Sequence, residues 1–330
     1  MDRVVTPALL EVDDLKMHFP VREGLLLRSR TFNRAVDGVS LRINPGETLG
    51  LVGESGCGKS TLGRCITRLY RPTAGSIRFQ GQDITRMGAR SLRPMRQNIQ
   101  MIFQDPMESL NARHTVGDIL AEPFVVQRMG NRAWRSKRVR ELLNTVGLPA
   151  RSVTRYPFEF SGGQRQRIGI ARAIALNPEL VICDEPVSAL DVSIQSQILN
   201  LLMDLQQEFN LSYLFIAHDL AVVKHVSDRV AIMYLGKIIE TADSETIYRD
   251  ARHPYTRSLI SAIPVPDPHH KPSRQVLQGD VPSPINPPSG CHFHPRCPIA
   301  EVRCQQQLPA LRELGAGHFA ACHLALSDPN

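Results

Sequence analysis

The chain contains no apolar run of the ~18 residues that a membrane-spanning helix requires, so nothing in it is expected to span a bilayer. Its first stretch, MDRVVTPALLEVDDL, lacks the basic-then-apolar pattern of a secretory signal. These absences point to the cytosol, where thiols stay reduced and stable disulfides are not expected. Cysteine is scarce for most of the length, with three residues in the first 290. Four more, Cys291, Cys297, Cys304 and Cys322, then crowd the last 40.

What is present suits a packed globular protein. The 330 residues are 42% hydrophobic and 22% charged, enough for one large domain and a small one. Net charge is +7, but it is concentrated. Between positions 128 and 155 stand Arg128, Arg132, Arg135, Lys137, Arg138, Arg140, Arg151 and Arg155 against Glu141 alone. Basicity confined to one segment marks one face rather than a generally basic, nucleic-acid-binding protein.

The sharpest motif is GESGCGKST, Gly53 to Thr61. It follows the strand-like run ETLGLV and precedes a helical pattern from Lys59 to about Tyr70, the context a phosphate-binding loop requires. Gly53, Gly56 and Gly58 let the backbone of Ser55 and Cys57 turn its N–H groups toward phosphate oxygens, and the helix N-terminus adds partial positive charge. Lys59 can reach the β- and γ-phosphates, Ser60 can ligate Mg²⁺, and Thr61 follows in the first helical turn.

A second stretch, LVICDEP, ends a buried-strand pattern on two carboxylates. Asp184 suits Mg²⁺ coordination, and Glu185 suits orienting and deprotonating a water. Between the two motifs lies FSGGQRQRIGIARAI, with Ile168, Ala171, Ile174 and Ala175 on one helical face. A helix opening on Ser161, Gly162 and Gly163 offers a second anion site, which one nucleotide does not need from the same chain. Further along, the helix pattern from Asp191 to Phe209 buries Ile194, Ile198, Leu201, Leu202 and Leu205, and Cys57, Cys65 and Cys183 read as small buried or loop residues.

In order and spacing, Gly53–Thr61, Ser161–Gln164 and Asp184–Glu185 resemble the ABC-type ATPases over roughly residues 8–250. The resemblance implies an α/β fold: a RecA-like P-loop NTPase core, an antiparallel β lobe and a helical subdomain at about 106–160. It makes Gln104 the Q-loop glutamine, which would touch Mg²⁺, and His218 the switch histidine. Phe19 would stack on adenine, and SALD, ending at Asp191, would be the D-loop. It also implies head-to-tail pairing, with ATP at Lys59 of one subunit meeting Ser161, Gly162, Gly163, Gln164 and Asp191 of the other. No second P-loop or second SGGQ is present, so the chain supplies one half of a pair.

Within that family, FQDPMESLNAR, HPYT and GDVPSPINPPSGCHFHPRC resemble the ATPase subunits of dipeptide and oligopeptide importers, F-type rather than D-type. The implied partners are a D-type second ATPase subunit, two membrane permease subunits and, indirectly, a periplasmic or extracellular peptide-binding protein. The implied location is peripheral, on the cytoplasmic face of the bacterial cell membrane. Import of nickel, glutathione or sugar on the same scaffold is the alternative, and a soluble ABC ATPase of translation or repair a more distant one. Residues 21–36 read as an inserted hairpin or flexible loop.

From Pro264 the chain turns proline-rich and loses periodicity, which predicts a small irregular Cys-rich extension over 264–330. Its cysteines are separated by 5, 6 and 17 residues, loose for the usual zinc pairing. Four thiolates can hold a [4Fe–4S] cluster, and some peptide-importer subunits carry one here. Zinc, with His292, His294, His318 or His323 as substitute ligands, and unliganded thiols remain the other readings.

Overall fold

The structure is a computed structural model that describes residues 7–21, 31–263, 277 and 279–325. The chain divides into two compact units. The first, here the loop unit, takes the described residues of 10–42, Thr48–Thr85 and the described residues from Ala217 onward. The second, the helical unit, takes residues 7–9, Ile43–Glu47 and Arg86–Ile216.

The chain begins with β1 (Leu10–Val21), β2 (Thr31–Ile43), β3 (Thr48–Val52), α1 (Lys59–Ile66), β4 (Ala74–Phe79) and β5 (Gln82–Asp83). The helical unit follows with α2 (Ala89–Asn98), β6 (Ile99–Ile102), α3 (Pro106–Ser109), α4 (Val116–Val126), α5 (Arg132–Thr145), α6 (Gly162–Ile174), β7 (Leu180–Asp184), α7 (Val192–Phe209) and β8 (Ser212–Ala217). The chain then returns to the loop unit through α8 (Leu220–Val226), β9 (Arg229–Tyr234), β10 (Lys237–Asp243), α9 (Ser244–Arg249) and α10 (Pro254–Ser261). It ends in α11 (Val302–Gln306), β11 (Arg312–Gly315) and β12 (His318–Ala320).

In the helical unit, β6, β7 and β8 form parallel ladders, with Ile182 opposite both Met101 and Leu214. All five residues of β7 are buried, as a parallel strand covered on both faces requires. Helix α6 buries Ile168, Ala171, Ile174 and Ala175, the face expected from its 3.6-residue period. Helix α5 buries Val139, Leu142 and Leu143 and leaves Arg132, Lys137 and Arg140 exposed. Its basic side chains are partly tied down: Arg138 pairs with Glu141 at 2.6 Å, and Arg135 Nε donates to Met129 O at 2.8 Å.

The loop unit holds a four-stranded sheet ordered β2-β1-β4-β5, with β1 antiparallel to β4. It also holds a ribbon in which β3 runs parallel to β9, and β9, β10, β12 and β11 follow antiparallel. β3 is buried along its whole length, so the residues after it emerge from a fixed strand end.

Three expectations change. Helix α1 stops at Ile66 rather than near Tyr70, because Arg68 turns left-handed (φ 58°) and the N–H groups of Leu69 and Tyr70 both return to Arg64 O. Residues 31–36, expected in a hairpin or loop, open strand β2, and residues 22–30 of that insertion lie outside the described residues. The extension, expected to be irregular, ends in the hairpin β11–β12, which adds to β10 through Glu240↔Ala320 and Thr241↔Phe319.

Candidate nucleotide-binding site

The glycine-rich loop leaves β3 and enters α1 through two left-handed residues, Gly56 (φ 81°) and Gly58 (φ 105°). A Cβ on Gly58 would lie 1.9 Å from Ala35 O, and one on Gly53 would lie 2.2 Å from Met233 O. Only glycine allows this close approach of backbone to backbone. The loop's outer side is stapled by Gly236 N–H, which donates to Cys57 O at 2.9 Å. Lys59 is buried, and its ammonium donates to Gly53 O at 2.7 Å and Glu54 O at 3.1 Å. The charge is thus held inside the ring of the loop. Ser60 and Thr61 stand in the first turn of α1, half-buried. Cys57 is buried beside Lys59, and burial raises its thiol pKa although the ammonium pulls the other way.

Phe19, in β1, meets Tyr70 edge to face at 5.6 Å. Tyr70 also accepts a hydrogen bond from Arg64 at 3.3 Å. The sequence pattern marks Tyr70 only as the approximate end of a helix and gives it no role at the site, because it belongs to no motif.

The helical unit carries the acid pair. Asp184 is buried at the end of β7, and Glu185 is half-buried one residue on. Glu185 adopts φ 46°, a left-handed conformation that costs an L-residue ~1–2 kcal/mol. Its N–H donates to Ile216 O at 3.0 Å, and its carbonyl accepts from Ser188 N at 3.3 Å and Ser188 Oγ at 3.2 Å. Gln104 Nε2 donates to Glu185 Oε2 at 3.2 Å, bringing together two of the three proposed catalytic side chains. Ser188, a clamp on the Glu185 backbone, is a role that the SALD match alone did not disclose. The third, His218, follows the end of β8 in the loop unit and is exposed.

The start of α6 is a reciprocal cap: Gln164 N–H donates to Ser161 Oγ at 3.4 Å, and Ser161 N–H donates to Gln164 Oε1 at 3.1 Å. Gly162 and Gly163 occupy the first two helical positions, where no Cβ shields the positive end of the helix dipole. A Cβ at Gly163 would come within 2.5 Å of Ile194 on α7. Asp191 is the exposed N-cap residue of α7.

In the extension, burial pushes the Cys291 thiol up to about 11 and also raises Cys297 and Cys322, and the surrounding cysteines act in the same direction on all three. The four cysteines therefore share one neighbourhood. Yet among the described residues no group of three or more His, Cys, Asp or Glu is placed to hold a metal ion. Three of the four histidines offered as substitute ligands have one ring nitrogen engaged. His294 Nδ1 lies 2.9 Å from Cys291 O, His318 Nε2 lies 2.8 Å from the buried Glu240, and His323 Nε2 lies 2.9 Å from Gln307 O.

A glycine loop with a buried lysine, an acid pair ending a parallel strand and a capped Ser-Gly-Gly helix start together define an ABC-type ATPase. Comparison with known proteins agrees. Residues 36–188 match the ABC transporter family, and residues 239–304 match the C-terminal region of oligopeptide/dipeptide transporters. The oligopeptide transport ATP-binding protein AppF of Bacillus subtilis (strain 168) is 55% identical over 319 residues, 96% of this chain and 97% of that protein. A putative peptide import ATP-binding protein of Brucella ovis, BOV_A0347, is 53% identical over 314 residues, 95% of this chain and 97% of its own length. Among solved structures, the dimeric post-hydrolysis state of the ATP-binding cassette MJ0796, bound to ADP and Pi, superposes with a TM-score of 0.64. It is 26% identical, covering 71% of this chain and 98% of that one. The chain belongs to the oligopeptide and peptide transport ATP-binding proteins, the ATPase subunits of ABC transporters. Among the described residues no helix is long and apolar enough to cross a membrane.

Proposed function

We propose that this chain hydrolyses ATP to drive import of dipeptides or oligopeptides through a membrane permease. The observation that carries this reading is the likeness to AppF along 96% of the chain, with the oligopeptide/dipeptide-type C-terminal region included. In the mechanism, the 53–61 loop and Lys59 bind the triphosphate, and Phe19 stacks on adenine. Ser60, Gln104 and Asp184 would hold Mg²⁺, which when bound would supply charge neutralisation for the phosphates. Glu185 orients and deprotonates the attacking water, and His218 holds the γ-phosphate and helps place that water. Ser161–Gln164 and Asp191 act on nucleotide bound to a second ATPase subunit, so that ATP closes a head-to-tail dimer and hydrolysis reopens it. That a related cassette is dimeric with ADP and Pi bound supports the pairing of two ATPase subunits.

The second ATPase subunit is proposed to be a D-type paralogue, with two permease subunits and a peptide-binding protein completing a complex on the cytoplasmic face of the bacterial cell membrane. The exposed arginines of α5 would lie near anionic headgroups or acidic permease loops. A [4Fe–4S] cluster on Cys291, Cys297, Cys304 and Cys322 is the finer part of the proposal. The shared neighbourhood of the thiols supports it, and the lack of a closed ligand group among the described residues counts against it. Iron, sulfide and zinc analysis of anaerobically purified protein decides between cluster, zinc and bare thiols.

The functional test is ATP hydrolysis by the complex reconstituted in proteoliposomes. Peptide-loaded binding protein is expected to stimulate turnover. Stimulation by nickel-, glutathione- or sugar-loaded binding proteins instead would replace the peptide reading.

A further inference from the structure

We propose that Arg296, in the C-terminal extension, is a positioning residue for the phosphate-binding loop: through Glu54 it fixes one of the two carbonyls on which the Lys59 ammonium rests. This goes beyond the assignment of the loop as the ATP site, on which it depends.

The link is direct and lies wholly within the loop unit. Arg296 Nη1 donates to Glu54 Oε2 at 2.7 Å, and Nη2 donates to Glu54 Oε1 at 3.0 Å. Two parallel bonds fix the plane as well as the position of the carboxylate. The Glu54 peptide is pinned on its other sides, its N–H donating to Tyr255 Oη at 3.0 Å. Its carbonyl accepts from Lys59 Nζ at 3.1 Å and from Cys57 N–H at 3.3 Å. One residue of the loop is thus tied to the extension, to α10 and to the lysine that would meet the phosphates.

Arg296 itself has little freedom. It is 9% exposed, and its guanidinium lies 6.0 Å from the centre of the Tyr234 ring. The next aromatic, Phe293, packs edge to face on Tyr234 and Tyr255, with centroids 5.4 Å apart in each case. The short turn that carries Arg296 is anchored by Arg296 N–H to Phe293 O at 3.0 Å and by Cys291 N–H to Cys304 O at 2.8 Å. Stability alone is a poor reason for such a group. A buried ion pair is often no better than apolar residues of the same volume. Here Arg296 Nε is also buried with no partner among the described residues. What an apolar replacement could not supply is the fork that orients Glu54.

The test is ATP affinity of the full chain, by competition with a fluorescent ATP analogue, alongside KM and kcat in the reconstituted complex. Arg296→Gln is expected to raise the Kd and KM for ATP on the order of tenfold, the scale of one broken coupling. At saturating ATP, kcat should stay within about twofold, because the water-activating groups are untouched. Arg296→Lys should recover part of the affinity, since one ammonium replaces the fork. Glu54→Gln/Arg296→Gln should be no worse than Arg296→Gln alone, because both cut the same link. Should the arginine variants fail to fold, Tyr255→Phe removes one oxygen from the same anchor and should raise KM in the same way. Unchanged KM in Arg296→Gln or in Tyr255→Phe overturns the proposal. So does a double variant that regains wild-type affinity, which would make the effect one of charge. Lys59→Ala separates the two levels: if it still binds ATP normally, the loop assignment fails, and if it loses ATP while Arg296→Gln does not, only this inference fails.

Discussion

Replacing Glu185 with Gln isolates basicity from shape. The backbone at this position is left-handed and held from both sides, by Ile216 O on its N–H and by Ser188 on its carbonyl. None of these contacts involves the side chain, so the substitution leaves them in place. The carboxylate oxygen that accepts from Gln104 at 3.2 Å becomes an amide oxygen, which still accepts, though without the carboxylate's charge. What disappears is the ability to take a proton from water. A positioned general base contributes ~10²–10⁴ in rate, or about 2.7–5.5 kcal/mol of barrier. ATP turnover at saturation is therefore expected to fall by that factor while ATP affinity and melting temperature stay near wild type. Nucleotide should be retained, and the protein should accumulate as a closed dimer, read by ATP retention and by light scattering. Turnover within tenfold of wild type would show that another group is the base. Loss of ATP binding would show that Glu185 matters to the ground state instead.

The buried Glu240 carboxylate offers a pH test. Burial pushes its pKa up, but hydrogen bonds from His318 and from the N–H groups of Arg252 and His253 outweigh it and hold the group below its ordinary 4.5. Its contribution to stability is therefore complete above pH 4.5 and lost as pH falls through the lower folded-state value. Glu240→Gln should lower the melting temperature at neutral pH, by about 3–5 kcal/mol in stability, and flatten the acid limb of the curve. Gly163→Ala should destabilise by about 1–3 kcal/mol, because its Cβ would reach 2.5 Å from Ile194, whereas Gly162→Ala, at 3.3 Å from Leu190, should cost less in a denaturant melt. Cys57, Cys65 and Cys183 are buried, and burial raises their thiols, that of Cys65 to about 12, so alkylation of the folded chain near pH 8 should spare all three. Replacing Arg132 and Arg140, the exposed arginines of α5, with glutamine should weaken assembly with the permease, and assembly that is unchanged across salt concentrations would rule out the proposed contact.

Features fixed by local pattern were legible in the sequence. The buried run of β7, the inward face of α6 and the strand–loop–helix around Lys59 all follow from periods and glycine spacing within about twenty residues. Features fixed at long range were not. Arg296 and Glu54 are 242 positions apart, and neither residue type announces the other. The hairpin β11–β12 has strands of four and three residues, too short for an alternation to register, and it gains its place from the edge of β10. The end of α1 was misplaced because Arg68 adopts a conformation that its residue type does not advertise. The helix start at Ser161 is legible in the Ser-Gly-Gly run, and its reciprocal capping by Gln164 follows the same S-x-x-Q spacing.

These long-range contacts change the standing of the extension. A tail joined only by a flexible segment could be lost without consequence for the ATPase. Here its removal would leave three separate deficits in the loop unit. Glu240, fully buried, would lose His318. The outer edge of β10 would lose the ladder to β12 and expose unpaired backbone groups. Glu54 would lose both bonds from Arg296, in a loop whose geometry decides how Lys59 is presented. Two of these deficits concern the integrity of the fold, and the third concerns the nucleotide. The matched C-terminal region, residues 239–304, itself starts inside β10, well before the proline-rich stretch at which a boundary was expected. On this geometry the extension is a structural part of the nucleotide-binding unit rather than an appendage to it.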